Sequence, residues 1–384
     1  MKKVIIVILL FFIVFPTYSF AKDISQDEII LSQGESVDIG KFIEEANKYI
    51  KDTFENMDYN ELLSSAITGN INNEKIGNSI LNILGNESIY SIKTIVSIIV
   101  VIVIHSILKS ISDGLENGSS ISKISYYVQY ILIATLIMTN FADIITTVKD
   151  SVTSLVGFSN TLIPLMITLV ITTGNIVSAN MLEPILILVI TFIGNFILDV
   201  IMPILLASTV IGIVSKISDY VQLDKLSKFL KSGVTWTLSI IVTLFVSLVS
   251  IEGSLSSSVD GVAAKTAKAA VSSFIPVVGK ILGDAVDTVI GCASILKNAV
   301  GVIGVIVIIG ICIKPIIQLV LLMITYYLGA SLCEPIADEK IVKLLSQMGD
   351  TFKILLAILC SLSVMLIIGV TLVMKISNTG LMYR

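Results

Sequence analysis

Long apolar runs separated by short polar stretches occupy most of the chain after about residue 90. Seven runs carry few charges: 92–108, 126–141, 155–173, 184–214, 234–251, 300–332 and 352–374. A helix needs about 20 apolar residues to cross a bilayer, so most of these runs fit one crossing each. The pattern predicts an all-α, polytopic helical membrane protein.

The fourth and sixth runs are too long for one straight crossing. The fourth contains Asp199 and Pro203, and the sixth contains Lys314 and Pro315. A helix of about 30 residues is about 45 Å long, against a hydrocarbon core of about 30 Å. We therefore predict a break in each run, as a hairpin or as one broken helix, which gives seven or nine spanning or half-spanning helices. Asp199 is then either an ion site or a charge at a hairpin turn.

The start of the chain has the layout of a secretory signal peptide. Two lysines precede an apolar run of about 12 residues, and residues 19–21 (Ser-Phe-Ala) have small residues at the −3 and −1 positions of a cleavage site. We expect cleavage after Ala21, with an uncleaved anchor as the alternative. Either outcome puts the acidic segment 22–91 outside the cytoplasm, and an odd number of spans then puts Arg384 in the cytoplasm.

Composition excludes several classes of protein. Of the 384 residues, 55% are hydrophobic and 14% are charged, whereas soluble domains have about 45–50% and about 25%. The formal net charge is −4 and Arg384 is the single arginine, so no basic face is available for nucleic acid. These values argue against a soluble enzyme, a disordered regulator and a nucleic-acid binder.

The sequence has no pattern typical of a catalytic or metal centre. The single histidine, His105, lies inside the first run, where we expect it to be packed and neutral. Gaps of 20, 21 and 27 residues separate the four cysteines, which we expect to be buried thiols: Cys292, Cys312, Cys333 and Cys360. Nucleotide-binding and hydrolase signatures are absent. We predict no enzyme activity, no cofactor and no metal.

Residues 252–299 are richer in Ala, Gly and Ser than the spans. A polar stripe at helical spacing runs through the second half: Lys280, Asp284, Asp287, Gly291, Ser294 and Asn298. Gly279 and Gly283 form a GxxxG pair that permits close helix contact. Two interpretations stay open. The stripe lines an aqueous path or takes part in assembly, or it lies in the membrane interface with Lys280 paired to Asp284.

The predicted organisation has five parts. They are a signal peptide (1–21), an acidic helical extracytoplasmic segment (22–91), a first membrane bundle (92–251), the amphipathic segment (252–299), and a second bundle with a short cytoplasmic tail (300–384). In the second part, apolar residues at helical spacing between Ile39 and Phe54 predict a helix. We expect that helix to pack on a partner or on the membrane surface, with a short helical hairpin that only solubilises the N-terminal part as the alternative.

The amphipathic segment also carries a resemblance. It reads TAKAAVSSFIPVVGKILGDAVDTV, followed by SILKNAVG, and it closely resembles the stage III sporulation protein AE family of endospore-forming bacteria. The signal peptide, the acidic segment, the order of the spans and the length agree with that family over essentially the whole chain. The resemblance implies a membrane core subunit of a secretion-like channel that links mother cell and forespore and is needed for late forespore development. The family supplies no established catalytic residues.

The resemblance also implies partners and a location. The partners are the other stage III A sporulation proteins, with a cytoplasmic ATPase and ring-forming subunits among them, and a protein of the forespore membrane. The location is the outer forespore membrane, on the mother-cell side. Two further functions stay open. One is a self-contained secondary transporter with helices broken at Asp199 and at Lys314–Pro315, and the other is a non-conducting scaffold for the ring-forming partners.

Overall fold

The computed structural model describes residues 39–50, 67, 73–112, 118–216, 223–274 and 279–376; within some helices, above all at 252–287, it describes the backbone alone. Every regular element in these residues is helical, which confirms the all-α prediction. In chain order the elements are α1 (Ile39–Ile50), α2 (Asn73–Ser112), α3 (Gly118–Thr172), α4 (Ile176–Phe196), a π-helical segment (Ile197–Ile201), α5 (Met202–Val214), α6 (Asp224–Phe274), α7 (Gly279–Cys333) and α8 (Glu339–Ile376).

Six stretches of the described helices are long and apolar enough to cross a membrane: Gly77–Ile104, Tyr127–Thr172, Ile176–Val214, Asp224–Ile251, Thr288–Cys333 and Glu339–Ile376. The protein is therefore a multi-pass membrane protein. The predicted count was seven or nine, and it differs because runs 126–141 and 155–173 both lie on α3 and neither long run folds back as a hairpin. With six single crossings, both ends of the bundle lie on the same side. The prediction of a cytoplasmic chain end depended on an odd number of spans, and the described residues contain six.

The helices pack around an antiparallel pair formed by α7 and α8, in which Tyr327 Oη donates to Asp350 at 2.7 Å. Helix α3 lies against both, and the ring of Phe352 is 6.4 Å from that of Phe141 and 5.2 Å from that of Tyr326. On one flank, α4 packs on α3, and α6 packs on α4, α5 and α8. Tyr130 Oη of α3 donates to the backbone oxygen of Ile213 on α5 at 2.6 Å. On the other flank, α2 packs on α3 and α7.

The two predicted helix breaks have different outcomes. Helix α7 continues through Lys314 and Pro315, so the break predicted there is wrong. Pro315 is buried, and the surrounding helices hold the chain helical although the ring removes one backbone hydrogen bond. In the other run the helix changes to π geometry around Asp199 and continues. Pro203 would clash with the carbonyl four residues earlier, that of Asp199, in a regular α-helix, and the wider π turn at this point relieves that clash.

Helix α1 confirms the helix predicted from apolar spacing. Ile39 and Phe42 are buried, and α1 contacts α3 and α7. Thr161 Oγ1 donates to Glu45 Oε2 at 2.5 Å. Burial raises the pKa of Tyr49, and the Glu45 carboxylate raises it further. This helix therefore packs on the membrane bundle of its own chain, where we had expected a partner or the membrane surface.

Three of the predicted boundaries, after residues 91, 251 and 299, fall inside α2, α6 and α7. These boundaries mark changes in hydropathy and not the ends of helices. The helices continue through them because backbone hydrogen bonds form whatever the polarity of the side chains. The predicted signal peptide and Arg384 lie outside the described residues. The side chain of His105 also lies outside the described part.

Candidate functional site

The predicted polar stripe lies on the first part of α7, and its backbone forms one continuous helix as the spacing predicted. Lys280, Asp284 and Asp287 have side chains outside the described part, and at Gly279 and Gly283 the structure describes the course of the helix alone. Of the others, Ser294 is buried and Asn298 is half-buried. At this end the stripe turns towards the interior of the bundle.

A buried lysine that the sequence analysis did not select lies between Ser294 and Asn298. Lys297 has 0% exposure, and its Nζ donates to the backbone oxygen of Met374 at 2.6 Å. Because α8 ends at Ile376, the carbonyl of Met374 is among the last four, which have no donor within the helix. The ammonium also lies at the negative end of the helix dipole. Lys297 therefore caps the end of α8 from α7.

A second buried lysine reaches α8 nearer its start. Lys231 on α6 is 8% exposed, and its Nζ donates to Thr351 Oγ1 at 2.7 Å and to the backbone oxygen of Gln347 at 3.0 Å. The hydroxyl of Thr351 donates to the same Gln347 oxygen at 3.0 Å. Lys231 thus joins a polar cluster on α8, whereas Lys297 meets a single carbonyl.

Serine and glutamine side chains extend this cluster across α5, α6 and α8. The hydroxyls of Ser208 and Ser227 each donate to the other residue's backbone oxygen at 2.8 Å, and Gln347 Nε2 donates to Ser227 Oγ at 3.3 Å. Gly212 makes this approach possible, because a Cβ there would overlap the side-chain amide of Gln347. Polar side chains that bond between membrane helices fix one arrangement of those helices.

Both lysines lie inside stretches that are apolar enough to cross a membrane. Within the described residues, neither Lys231 nor Lys297 forms an ion pair with a carboxylate. A buried ammonium is costly. The carboxylate of Asp350 on α8 is near enough to interact with the charge of Lys231, whereas Lys297 has the hydrogen bond to the Met374 carbonyl. The chemistry that this geometry permits is positioning: α6 and α7 hold α8 at two levels through charged hydrogen bonds.

The charges predicted at the helix breaks lie elsewhere, on the outside of the bundle. Asp199 and Lys314 are exposed, in stretches of 39 and 46 residues, and neither forms an ion pair within the described part of the chain. Cys292, Cys312 and Cys333 are buried as predicted, and Cys360 is half-buried. Among the residues whose placement is described, no group of three or more His, Cys, Asp and Glu side chains is arranged to hold a metal ion.

Comparisons with known proteins agree on one family. The sequence model described as stage III sporulation protein AE matches residues 57–377. A relative from Bacillus subtilis (strain 168), also named stage III sporulation protein AE, is 26% identical over 306 residues, which cover 80% of this chain and 76% of the relative. No solved structure matches the chain.

Proposed function

The chain belongs to the stage III sporulation protein AE family, and from that premise we propose that it is a membrane core subunit of a sporulation-specific, secretion-like channel linking mother cell and forespore. The observation that carries the proposal is the extent of the match. Residues 57–377 contain all six described stretches that are long and apolar enough to cross a membrane. The shared sporulation role therefore belongs to the membrane bundle itself.

In this role the protein acts through assembly and not through catalysis. The expected partners are other stage III A proteins, namely ring-forming subunits and an ATPase in the cytoplasm, and a protein in the forespore membrane. The expected location is the outer forespore membrane. The acidic residues before α2, with α1 packed on the bundle, would face the space between the two membranes, and a reporter fused after Arg384 would establish the side of the chain end.

The transporter alternative loses one of its two supports. It depended on broken helices in both halves of the chain, and α7 is continuous through Lys314 and Pro315. Within the described helices, the π segment around Asp199 departs from α geometry in one half alone. The scaffold alternative is compatible with the same structure, so it needs an experiment of its own.

Deletion of the gene in its own sporulating host tests the proposal. We expect normal growth and complete engulfment, followed by near-complete loss of heat-resistant spores. Engulfment is followed with a membrane dye, and spores are counted after heating. A second copy of the gene at another locus should restore the spore count. Normal spore yield combined with a defect in growth or nutrient uptake would overturn the proposal in favour of a transporter.

A pair of substitutions separates a conducting subunit from a scaffold. Asp284→Asn with Asp287→Asn removes two charges from the polar stripe on α7. A conducting stripe predicts fewer spores with unchanged protein level and unchanged capture of partners, because the charges then act on what passes. Wild-type spore counts support the scaffold, and Ser294→Ala, at a buried position of the same helix, serves as the control for a packing defect.

A further inference from the structure

Two sets of exposed charged residues lie on outward-facing positions of the bundle helices. The acidic edge comprises Asp143 and Asp150 on α3 with Asp199 in the π segment. The basic edge comprises Lys314 on α7 and Lys353 on α8. All five side chains are exposed, and none forms an ion pair with another described residue.

These positions are unsuited to contact with lipid tails. Asp199 and Lys314 lie near the middle of the stretches Ile176–Val214 and Thr288–Cys333. A charge facing hydrocarbon at the centre of a membrane helix costs about 2.5–3.5 kcal/mol or more. Each of these side chains therefore needs water or an opposite charge; Glu87 on α2 lies near Lys314 but forms no ion pair with it within the described residues.

The centre of α3 also has polar side chains on its outward side, where lipid tails would otherwise lie. Asp143, Thr146, Asp150 and Thr153 recur at helical spacing and are exposed, whereas the opposite side of the helix is apolar and buried, as at Val148. This amphipathic pattern is typical of a helix that meets water or a polar protein surface. The acidic edge is thus not a lipid-facing surface.

Acidic and basic residues lie at matching levels, meaning the same height along the axis of the bundle. The ring of Phe141 on α3 packs against that of Phe352 on α8, and the two helices run parallel because Met166 and Met374 both approach Gly301. Asp143 and Lys353 follow those two rings by two residues and one residue. They are therefore at one level. Asp143 is about 200° round α3 from Phe141, so it faces away from α8, and Lys353 is exposed on α8.

A second level contains Lys314 and Asp150. A Cβ on Gly304 of α7 would lie 2.6 Å from Leu162 of α3, and α3 and α7 run antiparallel. Ten residues further along α7 and ten residues back along α3, Lys314 comes opposite Val152. Asp150 is two residues away, about 3 Å along the axis.

Asp199 lies at this second level as well. Gly194 on α4 packs directly against the side chain of Val156 on α3, and Thr191 Oγ1 donates to Asn160 Oδ1 at 3.2 Å. These contacts define an antiparallel register, which brings Asp199 opposite the turn of α3 that contains Asp150.

From these matched levels we propose that the basic edge of one copy of this chain docks on the acidic edge of a second copy. Lys314 then meets Asp150 and Asp199, and Lys353 meets Asp143. A rotation about an axis along the bundle keeps every residue at its own level, so identical copies pair without sliding. Such a head-to-tail contact is heterologous, and it closes into a ring when the rotation between neighbouring copies divides a full turn.

Each edge also contains charges of the other sign. Lys149 on α3 is half-buried beside the acidic edge. Asp350 is exposed on α8 but accepts a hydrogen bond from Tyr327, and Glu87 on α2 is half-buried near Lys314. The docking therefore depends on the level of each pair and not on the net charge of an edge.

Cross-linking in membranes of the sporulating host tests this contact with all five charges intact. Two differently tagged full-length copies are expressed together, one with Thr153→Cys beside Asp150 and the other with Gln318→Cys one turn from Lys314. A short bis-maleimide should give a dimer that contains both tags. The matched control has Thr153→Cys in both copies, which places both thiols on acidic edges, and its yield should be at least about tenfold lower. Unsubstituted chains give the background from the native cysteines.

Charge reversal then tests the pairing. Lys314→Glu should lower the mixed-tag yield at least about tenfold, since a coupling of about 1.5 kcal/mol or more between close interfacial charges corresponds to that factor. Adding Asp150→Lys and Asp199→Lys to the same chain should restore it. Yields are normalised to the amount of protein in the membrane.

Three results would overturn the proposal: a mixed-tag yield equal to the control, a product with a different protein in place of the second copy, or no response to Lys314→Glu. The readout is a cross-link and not a spore count. Failure here therefore leaves the sporulation role untouched, and failure of the deletion experiment leaves this contact untouched.

Discussion

The two buried lysines that bond to α8, Lys231 on α6 and Lys297 on α7, have different surroundings. Lys231 bonds to the carbonyl of Gln347. That carbonyl lies in the interior of α8, where the backbone N–H four residues later donates to it, and it also accepts from the hydroxyl of Thr351. Lys297 bonds to the carbonyl of Met374, which lies within the last turn and lacks a donor in the helix. The importance of a buried lysine therefore depends on what its removal leaves unpaired.

The largest effect is expected from reversing the charge at the end of α8. Lys297→Glu puts a carboxylate against the carbonyl of Met374 and the negative end of the helix dipole. An uncompensated buried charge costs about 3–5 kcal/mol, so the protein should disappear from membranes on an immunoblot. If the variant is present in membranes at the wild-type level and unfolds at the wild-type temperature in detergent, Lys297 does not occupy the buried position against Met374.

The same substitution at both lysines tests the difference between them directly. Lys297→Met should lower the free energy of unfolding by about 1–3 kcal/mol, the cost of leaving a buried acceptor unpaired. Lys231→Met should cost less than about 1 kcal/mol, because the Gln347 carbonyl keeps its other donors and an apolar side chain of similar size replaces a buried charge. Thermal unfolding in detergent measures both. Equal losses, or a larger loss at Lys231, would contradict the comparison.

A smaller effect is expected at Gly212, whose lack of a side chain leaves room for the amide of Gln347. Gly212→Ala places a methyl group where the Gln347 amide lies and should displace it from Ser227. Overpacking costs about 1–3 kcal/mol, and the better helix propensity of alanine returns up to about 1 kcal/mol. The control is Gly233→Ala on α6, where a Cβ meets nothing within 4 Å. That variant should be neutral or slightly stabilising, and a loss as large as at Gly212 would point to an effect unrelated to Gln347.

The smallest effect is expected for Lys343, an exposed lysine on α8. Lys343 pairs with Glu339 one turn away, and both side chains are largely exposed. Water screens the charges of surface pairs of this kind, which therefore contribute little to stability, so Lys343→Met should leave the unfolding temperature almost unchanged. A shift as large as that of Lys297→Met would mean that α8 responds to any lost charge, and the distinction between buried and exposed lysines would fail.

Much of the fold could be predicted from local pattern. Apolar runs predicted the long helices, and the spacing between Ile39 and Phe54 predicted α1, which the structure has at Ile39–Ile50. The buried lysines were missed because a lysine near the end of an apolar run is usually one that reaches the interface. One signal was available: Lys297 has Ala293 and Gly301 one turn away on either side, and small neighbours leave room for a buried ammonium.

By itself the sequence determined that this is an all-helical, multi-pass membrane protein, because apolar length and scarce charge are properties of each segment alone. Tertiary structure decided which polar residues are buried and which helices continue. Lys297 and Lys231 find their acceptors 77 and up to 120 residues away along the chain, and no local pattern contains those partners. Pro315 and Pro203 look alike in sequence, yet α7 stays α-helical at the first and a π segment precedes the second. The contacts of the surrounding helices make that difference, since they determine how each freed carbonyl is accommodated.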